Sequence, residues 1–170
     1  MSIDDCSHKF SELSLNVLPG YFEELQRAME KPWRLRLFAE DGVGVAGIGK
    51  RVGHKTDFAG CYVIIDGRKP IYVGISRKVI ARLRQHVTGT SHFTASLAYR
   101  MASKALPHES KRSDAMADAA FHAAFCKAQA NLKRMSCAFL KVPNALERHL
   151  FEVLCAMELG TGEWNTFETH

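Results

Sequence analysis

The chain has no C-x-x-C pair; its five cysteines, at positions 6, 61, 126, 137 and 155, are scattered. That scatter argues against a zinc site and against a dense disulfide framework, so reduced thiols in a cytoplasm are the simple expectation. No stretch of about 18 apolar residues occurs, and no membrane span is expected. Met1-Ser2-Ile3-Asp4-Asp5 is acidic where a secretory leader is basic, so no leader is expected. No run of five or more like charges makes a basic tail. Gly42, Gly44, Gly47, Gly49 and Gly53 crowd the stretch from Glu40 to Gly53, but the G-x-x-x-x-G-K-[ST] pattern is missing, which excludes a phosphate loop of that kind. The stretch reads as a flexible connection or a bent strand.

What remains is an ordinary globular composition, 46% hydrophobic and 24% charged over 170 residues, enough for one core and a short extension. The net charge of +5 and pI near 9.0 fit a polyanionic partner such as nucleic acid, because bound phosphates release counterions.

Residues 1–17 show little periodicity and read as a loosely ordered arm. Pro19 to Met29 reads as a helix, with Phe22, Leu25 and Met29 at helical spacing and Pro32 ending it. Trp33-Arg-Leu-Arg-Leu-Phe38 alternates with period two, as a strand does. Cys61 to Ile65 and Ile71 to Ile75 are two apolar strands, joined by a turn over Asp66-Gly67-Arg68-Lys69-Pro70 into a hairpin with a loop of about five residues. Ser76 can cap a helix running to about Val87. Val79, Ile80, Leu83 and Val87 form its apolar stripe, and Lys78, Arg82, Gln85 and His86 lie together on the opposite side. Two helices follow, about 93–105 and 114–132. Met135 to Val142 is a third strand, and Asn144 caps a last helix with Glu147 three residues on, as in a capping box.

Gly60-Cys61-Tyr62 and Tyr72-Val73-Gly74 resemble the two signature halves of the GIY-YIG nuclease family. In that family an arginine follows the second tyrosine by ten residues; Arg82 stands there. Some members carry a histidine four residues further on, where this chain has His86. The family also has a metal-binding glutamate on a later helix, often followed by an asparagine, and Glu152 and Asn165 are thirteen residues apart. The resemblance covers roughly 60–88 and 136–167. Cys61 replaces the usual aliphatic residue, a harmless change at an inward strand position. Residues 88–135 are longer than the single helix expected there. Lys104, Lys111, Arg112, Lys127, Lys133 and Arg134 make that insertion basic, either as a solvated face or as a DNA contact.

Two glutamates compete for the metal. Glu147 has a local task at the helix start. Glu152 has none; it sits two turns in, away from the Leu146, Leu150, Val153 and Met157 stripe, with Ala145 and Ala156 on its own side, and is the preferred ligand.

Phosphodiester hydrolysis needs an activated water, charge stabilisation on phosphate and help for the leaving oxygen. One carboxylate can anchor Mg²⁺ or Mn²⁺, keeping several waters on the ion. Arg82 is permanently charged and can fork onto phosphate. A phenol with an ordinary pKa near 10 is a poor base unless a cation favours its phenolate. The resemblance implies Tyr62 as that base, Tyr72 as an orienting group, His86 in proton transfer or phosphate binding, and Asn165 as a brace. Arg77 and Lys78 are DNA-backbone contacts or solvated charges. His149, three residues before Glu152, faces roughly the same way.

The expected fold is thus α/β (α+β): a small three-stranded antiparallel sheet flanked by helices, with residues 1–55 as an N-terminal extension able to add a strand, and 56–170 as the nuclease-like domain with its helical insertion. The expected activity is metal-dependent cleavage of double-stranded DNA, of restriction, mobile-element or repair type, by a homodimer or with a separate targeting subunit. The alternative is a nucleic-acid-binding module on the same scaffold that is silent or depends on a partner.

Overall fold

The apolar run Cys61 to Ile65 forms the middle of β2 (Gly60–Asp66) in the computed structural model, which describes residues 2–167. A strand apolar on both faces belongs inside a sheet. β2 lies between β3 (Lys69–Ser76) and β4 (Ser136–Lys141), antiparallel to both, in a four-stranded sheet of order β1-β4-β2-β3. The fourth strand, β1 (Trp33–Arg34), comes from the N-terminal extension.

Two compact units emerge. The first holds the described residues of Met1–Trp33, Thr56–Val79 and Ser136–His170; the second is Arg34–Lys55 and Ile80–Met135.

In the first unit, α1 (Phe10–Glu12) runs through a π-helical stretch, Leu13–Val17, into α2 (Leu18–Glu30). The described residues 2–17 are therefore not a loose arm: Cys6 and Leu13 join Leu18 and Leu25 in the core. Only a few apolar residues anchor this segment, too few to set up a visible period. α2 and α8 (Ala145–Glu158) contact each other, and α2 meets β4 while α8 meets β2 and β3. Cys61, Val63, Ile65, Val73 and Ala138 share that core with Phe151 and Cys155.

The β2–β3 hairpin is tighter than expected. Asp66 pairs with Lys69, leaving a two-residue turn in which Gly67 takes φ +60°, a conformation that favours glycine. The register slips between Ile64 and Ile65, so Ile64 pairs with Tyr72 but Ile65 with Pro70. This bulge absorbs the extra residue.

In the second unit the strand expected over 33–38 stops after Arg34 and gives way to a 3-10 stretch, Leu35–Ala39. Leu35 and Phe38, three apart, are both fully buried, and a three-residue turn puts them on one side where a strand would split them. The glycine-rich stretch is also corrected: it contains α3 (Val45–Arg51). Gly53, at φ +86°, terminates it, and Gly49 lets its backbone approach closely, since a Cβ there would lie 3.0 Å from His54 O.

α4 (Val79–Thr88) begins later than a Ser76 cap implies. Ser76 Oγ instead accepts from Lys78 N (2.9 Å), and Val79 N donates to Phe58 O (2.9 Å). Beyond it come three helices rather than two: α5 (Ser96–Ala105), α6 (Arg112–Ala117) and α7 (Ala119–Arg134). Asp118 breaks the predicted second helix by capping α7, its carboxylate accepting from Phe121 N at 2.8 Å. No helix of the described residues is long and apolar enough to cross a membrane.

Candidate active site

Successive side chains of a strand alternate between faces. Tyr62 pairs with Gly74 and Tyr72 with Ile64, so both tyrosines lie on one face of the hairpin while Cys61, Val63 and Val73 lie on the other. The two rings are diagonal neighbours, with centroids 6.2 Å apart. Both side chains are buried. The glycines of the two half-motifs are required by packing. A Cβ on Gly74 would lie 2.5 Å from Cζ and Oη of Tyr62, so the ring of the first motif rests against the bare backbone of the second. A Cβ on Gly60 would collide with the carbonyl of Leu140 on β4. Sequence inspection finds these glycines as letters of a motif; only the register explains them.

β3 is an edge strand, and Asn165 occupies its free edge. Val73 N donates to Asn165 Oδ1 (2.9 Å), and Asn165 Nδ2 donates to Val73 O (2.8 Å). The carboxamide pairs with the strand as a neighbouring peptide would. It ties the C-terminal loop to the central residue of the second half-motif.

Glu152 stands on the opposite face. It is half-buried on α8, and its charge acts on Cys61, whose thiol is held protonated chiefly by Cys155 and by burial. Desolvation raises the proton affinity of Glu152. Among the described residues no hydrogen bond or ion pair reaches its carboxylate. The expected apolar stripe of α8 needs correction: Val153 and Met157 are 39% and 75% exposed, and the buried face runs through Glu147, Arg148, Phe151 and Cys155. Glu152 borders that face, and Ala156 beside it is buried. His149 is exposed.

Arg148 was not anticipated. It is buried, and its Nη1 donates to Val142 O (3.0 Å) and Pro143 O (3.1 Å). Burial and then the charge of Arg77 lower its proton affinity, and Arg77, the residue after β3, is exposed. Lys78 is likewise exposed.

Arg82 and His86 lie in the second unit. Arg82 is half-buried, with Nη1 donating to Thr94 O (2.9 Å) and Gln85 Oε1 (3.2 Å) and Nη2 to Ser96 Oγ (2.8 Å). His86 is wholly buried, which corrects its placement on a solvated basic face of α4. Desolvation, reinforced by Arg82 and Arg100, lowers its pKa to about 3, so its imidazole is neutral. Val79, Ile80, Leu83 and Val87 are buried as expected. Polar character at position 86 suggests solvent only if one side of the helix is covered, whereas Gln129 of α7 also reaches this turn, donating to Gly89 O at 2.7 Å.

Residues 58–133 match the family model described as the GIY-YIG catalytic domain. These residues, somewhat under half of the chain, are similar to the GIY-YIG catalytic domain. No curated protein and no solved structure matches it. The GIY-YIG match runs from the start of β2 through α7, so it includes Tyr62, Tyr72, Arg82 and His86, while Glu152 and Asn165 lie beyond it. The family is one of DNA nucleases that generally depend on a divalent metal.

The helical unit of the chain is basic at its surface. Lys104, Lys111 and Arg112 are exposed, and Arg112 sits over the ring of Tyr99, 5.9 Å from its centroid. A shallow hollow of about 240 Å³ is lined by Arg34, Arg36, Lys133 and Arg134.

Proposed function

We propose that this chain is a metal-dependent endonuclease hydrolysing phosphodiester bonds of double-stranded DNA. The observation that carries the reading is the clasp of the two half-motifs: Tyr62 rests on Gly74, and Asn165 pairs with Val73 between Tyr72 and Gly74. Such a clasp orients two phenols and an edge strand together, the pre-organisation that charge-stabilising sites require.

The donor set fits a hard divalent ion. Glu152 offers a carboxylate that is partly desolvated and unpaired among the described residues, and one such ligand suffices for Mg²⁺ or Mn²⁺. When bound, that ion supplies charge neutralisation on phosphate and acidifies a water. The family resemblance assigns Tyr62, as its phenolate, the proton of the attacking water and Tyr72 the orientation of the phosphate, on the face of the hairpin opposite Glu152. In the family resemblance Arg82, carried by the second unit, has the role of stabilising charge on the phosphate oxygens. His86, buried and neutral, holds the α4 turn that carries Arg82 and does not touch substrate. Asn165 braces β3. Arg77, Lys78, Lys104, Lys111 and Arg112 meet the DNA backbone as exposed charges, with the Arg34–Arg36–Lys133–Arg134 hollow as a further phosphate site.

A second reading, a DNA-binding module that is silent or cuts only with a targeting subunit, rests on Arg82, whose guanidinium already has three acceptors. Supercoiled plasmid incubated with Mg²⁺, Mn²⁺ or EDTA separates the two. Metal-dependent nicking by the wild type, lost in folded Arg82→Ala and Glu152→Gln, supports the nuclease. Salt-sensitive binding without cutting by well-folded wild type supports the module.

A further inference from the structure

On the first unit, three side chains from distant parts of the sequence converge. His8 Nδ1 lies 2.9 Å from Glu147 Oε1, and Cys6 Sγ lies 3.7 Å from the same oxygen. One ligand atom from each residue falls within 4.8 Å of both others. We propose that Cys6, His8 and Glu147 form a transition-metal site of the Zn²⁺ class that closes the N-terminal segment onto α8. This inference does not rest on the nuclease reading.

The separations suit a metal. Tetrahedral Zn²⁺, with bonds of about 2.0–2.3 Å, holds its ligand atoms roughly 3.3–3.6 Å apart. The His8–Glu147 pair has to open slightly and the Cys6–Glu147 pair hardly moves. A thiolate, an imidazole and a carboxylate together select a borderline ion such as Zn²⁺ or Co²⁺ over Mg²⁺.

Charge supplies a second argument. The Glu147 side chain is only 7% exposed, and among the described residues no lysine or arginine pairs with it. Its neighbours are Cys6, His8 and Tyr21, whose hydroxyl donates to Glu147 Oε2 at 2.9 Å. A buried carboxylate surrounded by such groups lacks a fixed cation, and a divalent ion provides one.

The supporting shell is already built. Tyr21 fixes the far carboxylate oxygen through the hydrogen bond its hydroxyl donates. Asn144 accepts from Glu147 N and donates through Nδ2 to Asp4 O (2.9 Å), tying the two halves of the site together. Such outer partners orient ligands and tune affinity. Cys6 and His8 also line a cleft of about 590 Å³ with Leu13, Leu146 and Leu150, which leaves a fourth position for water or an added ligand.

Binding releases the Cys6 thiol proton to the buffer, and the proton His8 Nδ1 shares with Glu147 leaves that nitrogen for Nε2, or for the buffer where Nε2 already carries one, so that Nδ1 takes the metal. The missing C-x-x-C pair does not conflict with this site, because its third ligand is 139 residues from His8 and no local spacing can reveal it.

The test uses the full chain, reduced and stripped of metal, titrated with Zn²⁺ and separately with Co²⁺. The expected result is about one metal per chain. Zn²⁺ raises the thermal midpoint by several degrees, and Co²⁺ gives a thiolate-to-metal absorption band. Cys6→Ser should abolish the band, and Cys6→Ser and His8→Ala should each weaken Zn²⁺ binding at least about 10-fold. His8 is half-buried and Cys6 belongs to the core, so both variants are checked for native far-UV dichroism. Cys126→Ser is the control, because exposed Cys126 lies 3.7 Å from His122 and could hold stray zinc. Loss of the band in Cys126→Ser, equal Zn²⁺ affinity in Cys6→Ser and His8→Ala, or no binding by folded wild type each overturns the proposal.

Discussion

Glu147 and Glu152 stand on one helix, five residues apart, in opposite surroundings. Glu147 is buried and meets His8, Tyr21 and Cys6, all brought from the first 21 residues of the chain. Glu152 is half-buried and meets no polar partner among the described residues, and burial alone raises its proton affinity. The capping-box reading of Glu147 is half right: Asn144 does accept from Glu147 N at 3.1 Å, but the carboxylate is occupied elsewhere. The difference shows how a helix can host two carboxylates of unlike chemistry. One is enclosed by sulfur, nitrogen and phenol and suits a borderline metal. The other is half-buried with no hydrogen bond or ion pair among the described residues, the setting of the hard ion proposed above.

The sharpest way to break the comparison is to neutralise each carboxylate. Glu152→Gln should reduce metal-dependent plasmid cleavage by on the order of 10²–10³-fold while leaving the thermal midpoint unchanged or slightly higher. The sign follows from its raised proton affinity: the charged form is penalised in the fold, fully so above the folded pKa, and the penalty disappears as pH falls below the unfolded value. Cleavage by the wild type should therefore fail on acidification sooner than an ordinary carboxylate would dictate. Arg82→Ala should lose a similar factor in cleavage, and Arg82→Lys should not restore it, because the fork geometry is lost. A pH-independent rate or an active Glu152→Gln would remove Glu152 from the site.

Gly74→Ala should cost on the order of 10²-fold in cleavage by displacing the Tyr62 ring, with a moderate loss of stability. Urea unfolding beside the plasmid assay distinguishes displacement from simple unfolding. Glu147→Ala should do the reverse of Glu152→Gln, destabilising the fold by roughly 1–3 kcal/mol while folded protein keeps its cleavage rate. The smallest effects belong to the exposed cations. Lys78→Ala and Lys111→Ala should each lower the salt slope of DNA binding by about one without changing the cleavage pattern.

Much of this fold could be read from the residues. Alternation and the apolar run predicted β2 and β3, proline and helical spacing predicted α2, and Asn144 marked the start of α8. The errors share a cause. Trp33 to Phe38 satisfies period two and also the period of a three-residue turn, and burial of Leu35 with Phe38 decided between them. The glycines of 42–53 read as flexibility, yet two of them terminate turns at positive φ and Gly49 admits a close backbone contact. His86 read as solvated because a single helix cannot announce what covers its other sides.

The residues alone determined the hairpin, its two tyrosines and the arginine ten positions on, because these depend on spacings within about thirty residues. The tertiary structure decided the rest. It sealed His86 from solvent, laid Tyr62 on Gly74, paired Asn165 with the edge of β3 and gathered Cys6, His8 and Tyr21 around Glu147. Each of these depends on desolvation or on contact between segments far apart in the chain, and local periodicity carries no record of either.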